Sequence, residues 1–178
     1  IAINGGKALV DGNYIGSTTG SPSIVISTTT ATIADNSPTG IAVNSTATSG
    51  LTISNNHIGG MSFALASGTL AINLTGIRVN SGNVTVDGNE IGNPTASSFI
   101  VNNPGTGSAF TYGIYGGASA TYTLNFTNNV IRNLATNNGS TNTTSQVGRI
   151  NARGNAVYFI NGNQVSGLTS NSQSTSAT

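Results

Sequence analysis

The chain has 178 residues, with five Lys or Arg against four Asp or Glu, a formal net charge of +1, and no cysteine. That balance gives no electrostatic footprint for nucleic acid, and the missing cysteines exclude disulfides, thiolate zinc sites and cysteine nucleophiles. Charge is scarce, yet apolar residues recur on a schedule, which predicts an ordered chain solubilised by Ser, Thr, Asn and Gly rather than a disordered one.

At the N-terminus, Ile1 and Ile3 alternate with Ala2, a period of two that predicts a strand with one face inward. Gly5-Gly6 reads as a corner. Val10-Asp11-Gly12-Asn13-Tyr14-Ile15-Gly16 follows, with Val10, Asn13 and Ile15 inward and Asp11 and Tyr14 outward. Residues 17–40 form the longest connection. There Ile24, Ile26 and Ile33 predict a third strand or an added hairpin, and Ser37-Pro38-Thr39-Gly40 turns the chain back.

Both opening phrases then return. The first recurs as Ile41-Ala42-Val43-Asn44, Ile77-Arg78-Val79-Asn80, Ile114-Tyr115-Gly116-Gly117 and Ile150-Asn151-Ala152-Arg153, at steps of 40, 36, 37 and 36 residues. The second recurs at Ile53-Ser54-Asn55-Asn56-His57-Ile58-Gly59, Val86-Asp87-Gly88-Asn89-Glu90-Ile91-Gly92, Phe126-Thr127-Asn128-Asn129-Val130-Ile131-Arg132 and Ile160-Asn161-Gly162-Asn163-Gln164-Val165-Ser166. Its template is apolar, polar, Gly or Asn, Asn, any residue, Ile or Val, then a turn. Two series that keep their order while trading residues between connections describe a stack with fixed strands and elastic loops.

The connections differ. The second coil fills its interval with Phe63-Ala64-Leu65 and Leu70 to Leu74, the third with Phe99-Ile100-Val101 and Phe110-Thr111-Tyr112. The fourth has only Leu134 and Val147 around a polar loop, Asn137 to Asn142, expected to be exposed and mobile. Residues 169–178 are expected to fray. No segment has the three-and-four apolar spacing of a helix. No apolar run reaches the 18 residues of a membrane span.

In a stack, template positions become columns. Asn13, Asn56, Asn89, Asn129 and Asn163 predict a structural ladder, each amide bonded to its copies in the coils above and below, ~4.8 Å away. Asparagine also tolerates the left-handed backbone of a tight corner. The outward column Tyr14, His57, Glu90, Val130 and Gln164 shares no chemistry, as expected of a solvated face. Arg78 and Tyr115 fall outward in one column of adjacent coils, between Ala42 and Asn151. They are the candidate ligand contacts, since an aromatic beside an arginine could stack a sugar ring or meet a protein partner. Phe159 is expected outward, covered by loops of a following coil.

These steps predict an all-β chain: a parallel β-helix of about five coils with two or three short strands each, at about 1–40, 41–76, 77–113, 114–149 and 150–178. The phrases Gly40-Ile41-Ala42-Val43, Gly76-Ile77-Arg78-Val79 and Ile53-Ser54-Asn55-Asn56-His57-Ile58 resemble the right-handed parallel β-helix repeat family. Asn128-Asn129-Val130-Ile131-Arg132-Asn133-Leu134 resembles repeat segments of very large secreted surface proteins of Bacteroidetes-type bacteria. The resemblance is specific for the fold and weak for function, because the family includes pectin-degrading enzymes, phage tailspikes and adhesins.

The enzymes that the resemblance brings in use clustered carboxylates. Here Asp11 and Asp87 share an outward column two coils apart, with Ser54 between and Glu90 across a corner, a thin acidic patch. Asp35 reads as turn chemistry. His57 has no second histidine or cysteine to make a metal site. No catalytic residue, metal or cofactor is therefore expected. The expected function is a non-catalytic structural segment (stalk, filament or adhesin) of an extracellular bacterial surface protein, with a glycan-binding module or a polysaccharide lyase or hydrolase as alternatives. Ile1 already sits on the repeat, so the chain reads as an excerpt of a longer protein. Its expected partners are further coils, end-to-end or lateral copies of itself, or an extracellular glycan.

Overall fold

The structure, a computed structural model, describes residues 1–17, 21–28, 37–46, 48, 50–65, 71–96, 99–103, 107–118, 121–138 and 145–172. The first rung is β1 (Ala2–Ile3), β2 (Leu9–Asp11), β3 (Tyr14–Ile15) and β4 (Ile24–Thr28). The second is β5 (Thr39–Asn44), β6 (Leu51–Ser54), β7 (His57–Ile58) and β8 (Met61–Leu65). The third is β9 (Ile72–Ser81), β10 (Val84–Asp87), β11 (Glu90–Gly92) and β12 (Phe99–Asn103). The fourth is β13 (Ala109–Gly116), β14 (Thr123–Thr127), β15 (Val130–Arg132) and β16 (Leu134–Asn138). The fifth is β17 (Ser145–Ala152), β18 (Val157–Asn161), β19 (Gln164–Ser166) and β20 (Thr169–Ser172).

Like strands of successive rungs pair in parallel, giving four walls of five strands: β1-β5-β9-β13-β17, β2-β6-β10-β14-β18, β3-β7-β11-β15-β19 and β4-β8-β12-β16-β20. The chain is a parallel β-solenoid of about four full turns through five rungs, with no helix among the described residues. It follows that no helix there is long and apolar enough to cross a membrane.

Each rung has four strands, one more than the repeat predicts, because the chain bends inside the template. The bend is at the Gly-or-Asn position: Gly12, Asn55, Gly88, Asn128 and Gly162 have φ of 66°, 53°, 63°, 55° and 67°. Only Gly, and Asn at modest cost, take up that left-handed backbone. The corner conformation therefore belongs to the residue before the ladder asparagine, not to the ladder asparagine itself. Past the bend, the last residues of the template form the short third wall.

Other assignments shift for related reasons. Ile72-Asn73-Leu74 and Phe110-Thr111-Tyr112 lead the first strand of the next rung rather than filling the preceding connection. Leu134–Asn138 is a strand of the fourth wall, although only Leu134 had signalled one. Thr169–Ser172 pairs with that strand instead of fraying, since parallel main-chain bonds need no apolar side chain. Gly116 is a strand residue paired with Val79; a Cβ there would lie 2.7 Å from Tyr158 Cε1. Ile33, Asp35, residues 139–142 of the polar loop and residues 173–178 lie outside the described residues.

The interior is a continuous apolar column. Ile41, Ile77 and Ile114 of the first wall, Ile53, Val86 and Phe126 of the second, and Ile58, Ile91 and Ile131 of the third are all fully buried. The exposed large apolar side chains sit at the two ends: Leu9, Tyr14 and Val25 in the first rung, Val157, Phe159 and Ile160 in the last. The middle three rungs contribute none among the described residues.

A glycine precedes each buried lead isoleucine, and close packing explains it. A Cβ on Gly76 would lie 2.7 Å from Ile91 Cγ2 and 2.7 Å from the Gly113 carbonyl oxygen; Gly40 and Gly113 face Ile58 and Ile131 in the same way. The third-wall isoleucine thus packs directly on first-wall backbone. Gly76→Ala is expected to cost about 1–3 kcal/mol by overpacking. Gly5→Ala, which would meet nothing within 4 Å, should stay within about 0.5 kcal/mol of the parent. Urea unfolding of both variants checks this.

Candidate functional site

The ladder asparagines are joined along the whole rod. Asn13, Asn56, Asn89 and Asn129 each donate both the backbone N–H and Nδ2 to Oδ1 of the next copy, over 2.9–3.0 Å. The same Nδ2 atoms also reach back: Asn56 to Val10 O, Asn89 to Ile53 O and Asn129 to Val86 O, each at 2.9 Å. Asn56, Asn89 and Asn129 are at most 1% exposed. Their amides are used up internally, as buried polar groups require.

Two further ladders run on other walls. Asn44 Nδ2 donates to Asn4 and Asn80 Nδ2 to Asn44 on the first wall, while Asn137 donates to Asn102 and Asn171 to Asn137 on the fourth. The first of these was open to view in the sequence, because Asn4, Asn44 and Asn80 end the same four-residue phrase.

The acidic patch lies on the second wall. Register places Asp11, Ser54, Asp87 and Thr127 in one column. Ser54 Oγ donates to Asp11 at 2.7 Å and Asn55 Nδ2 at 2.9 Å. One pair of rungs later, Thr127 Oγ1 and Asn128 Nδ2 hold Asp87 at 2.6 and 2.9 Å. These bonds from Ser54 and then Asn55 hold the Asp11 carboxyl below its ordinary range, against a small opposing effect of desolvation. Each carboxylate is clasped by a hydroxyl and an amide of the next rung, and Ser54 separates the two.

The third-wall column is not the unrelated solvated face that its sequence suggests. His57 is only 9% exposed and lies under Tyr14, ring centroids 5.7 Å apart. Its Nδ1 is 3.4 Å from Glu90 Oε2, and Arg132 Nη2 donates to Glu90 Oε1. Arg132 was missed because it stands two positions beyond the column and reaches back to it from the next rung. Burial chiefly, and then the Arg132 charge, push the His57 imidazole below its usual 6.5, while the Ser17 backbone opposes them. The folded state therefore resists protonation. Stability should be full above pH 6.5 and fall as the pH drops through 6.5 towards the folded-state value. Urea midpoints measured across that range should show the slope in the parent and a flatter one in His57→Gln.

Arg78 and Tyr115 meet on the first wall. They are register partners, with Ala42 and Asn151 on either side, and Arg78 Cζ lies 5.3 Å from the Tyr115 ring centroid. Tyr115 tilts against Tyr112 at 5.6 Å, and Tyr112 stacks on Phe110 at 5.9 Å and 8°. The Tyr112 ring lies across Gly148, where a Cβ would come within 2.2 Å of it. Burial raises the Tyr112 phenol above its usual 10, with the Arg153 charge opposing. Together with Asn73, Thr75, Gln146 and Arg153 these side chains line an open cleft of about 270 Å³. Phe110 and Tyr112 escape the sequence reading because their segment looks like part of a connection.

Among the described residues no group of three or more His, Asp or Glu side chains is placed to hold a metal ion. No family model, curated protein or solved structure matches the chain.

Proposed function

We propose that the chain is a non-catalytic structural segment of an extracellular bacterial surface protein, a stiff length of stalk, filament or adhesin. The observation that carries this reading is the unbroken asparagine ladder. The residues that define the repeat spend their hydrogen-bonding capacity on one another, rung to rung, and so do the hydroxyls and amides around Asp11 and Asp87. Such side chains hold a stack together and leave little for substrate. Five rungs at ~4.8 Å give a rod of order 20 Å.

The end rungs supply the second support. Their strands have one unpaired edge, their apolar side chains are exposed, and Asn13 Oδ1 accepts no bond among the described residues. Further coils, or the complementary end of another copy, would cover these groups.

Sedimentation velocity and electron microscopy over a range of protein concentrations test the reading. Axial oligomers are expected, and a monodisperse monomer at the highest concentration would count against it. The enzymatic alternative is tested with Asp11→Ala and Asp87→Ala on anionic and neutral polysaccharides. Turnover that depends on either carboxylate would replace the structural reading.

A further inference from the structure

We propose that the cleft on the first wall binds an acidic saccharide, with one sugar residue against the Tyr115 ring, which Tyr112 backs, and its carboxylate or sulfate held by Arg78 and Arg153. The proposal goes beyond the rod reading and does not depend on it, since these side chains project outward from walls that are complete without them.

Charge is the first observation. The five strands of the first wall contain no Asp or Glu, and neither Arg78 nor Arg153 has a carboxylate partner among the described residues. In a chain with so few charges, two guanidiniums beside one cleft leave a local positive field unanswered by the protein. Arg78 is also oriented in advance. Its Nε donates to Asn80 Oδ1 at 3.0 Å and its plane lies over Tyr115, so the terminal nitrogens, which carry four of the five donors, remain for an acceptor.

Shape is the second. Tyr112 is 7% exposed and pinned over Gly148, so it offers no face of its own but backs the half-buried Tyr115 ring rigidly before anything binds. The exposed part of the Tyr115 ring suits the apolar C–H face of a pyranose. Asn73, Thr75 and Gln146 bring amide and hydroxyl groups to the rim, where sugar hydroxyls need both donors and acceptors. At about 270 Å³ the cleft is just below the usual ~300–1,000 Å³ of ligand pockets, a fit for one or two sugar residues rather than a buried chain.

The test is an NMR titration of the whole chain with cellobiouronic acid, with cellobiose, which has the same skeleton without the carboxylate, and with tri-glutamate, which has carboxylates without a sugar. Cellobiouronic acid should move the Tyr112 and Tyr115 ring signals saturably, and cellobiose should bind at least about tenfold more weakly. Arg78→Gln and Arg153→Gln should each lower affinity by about tenfold or more, and added salt should lower it further. Tyr115→Phe should keep binding and Tyr115→Ala should lose it. Arg153 is exposed and follows β17, so its variant decides the matter even if Arg78→Gln folds poorly. Equal binding of cellobiose, equal binding of tri-glutamate, affinity unchanged in Arg153→Gln, or no binding of cellobiouronic acid would each overturn the proposal.

Discussion

Asn89→Ala should lower the unfolding free energy by about 3 kcal/mol, whereas Asn13→Ala should cost only about 1 kcal/mol. The two residues occupy the same template position, so the difference tests the direction of the ladder. Asn89 Oδ1 accepts from both Asn56 N and Asn56 Nδ2, and all of these atoms are buried. Removing it strands the Asn56 backbone N–H in a dry interior, and its own Nδ2 no longer satisfies Ile53 O. An orphaned buried group costs roughly 1–3 kcal/mol. Asn13 is only donor to its neighbour. When its side chain is removed, Asn56 Oδ1 still receives the Asn13 backbone N–H; the lost bond to Asn56 is worth about 0.5–1.5 kcal/mol net, and the other, to the exposed Asp11 carbonyl, is replaced by water. Chemical denaturation of the two variants measures both. Equal losses would show that the column acts by packing rather than by directed bonds.

Gly92→Ala should cost about 2–5 kcal/mol, more than Gly76→Ala. Gly92 sits at φ 92°, in register with Arg132 of the next rung, and a Cβ there would lie 1.7 Å from the Arg132 carbonyl oxygen. The obstacle is backbone, so no side chain can rotate away; the two rungs must separate where they are hydrogen-bonded. Left-handed strain of about 1–2 kcal/mol adds to overpacking of about 1–3 kcal/mol. Thermal unfolding should show the loss, and replacing Leu134, the nearest side chain in contact at 3.3 Å, should not restore it. Recovery with a smaller residue at 134 would place the strain in the side chains instead.

The parts of this fold that were legible in the sequence are those whose spacing in the chain equals their spacing in the stack. Ile41, Ile77 and Ile114, or Asn56, Asn89 and Asn129, stand at fixed places in a phrase, so finding the phrase finds the column. What escaped depends on residues outside the phrase. The fourth wall begins after corners of different form, the left-handed residue being Gly60 in one rung, Gly92 in the next and Asn133 in the one after, so its strands have no fixed offset from the template. Glu90 and His57 were visible as column neighbours, but Arg132, which joins them, comes from off the column. In the cleft, Arg78 and Tyr115 belong to the phrase and were found, while Tyr112 and Phe110 precede it and were not.

The corner dipeptides carry one more consequence. They run Asp11-Gly12, Ser54-Asn55, Asp87-Gly88, Thr127-Asn128 and Asn161-Gly162, and each hydroxyl-and-amide pair grips the acid that precedes it. The glycines make room: a Cβ on Gly88 would come 2.9 Å from Asn55 Oδ1, and one on Gly162 2.5 Å from Asn128 Oδ1. Neighbouring storeys are thus unlike, and the true unit of growth along this edge is a couplet, ~10 Å tall. Excising one storey would set Asp11 directly against Asp87, two like charges with no clasp between them, whereas excising two leaves the alternation whole. Length in such a rod comes in even increments.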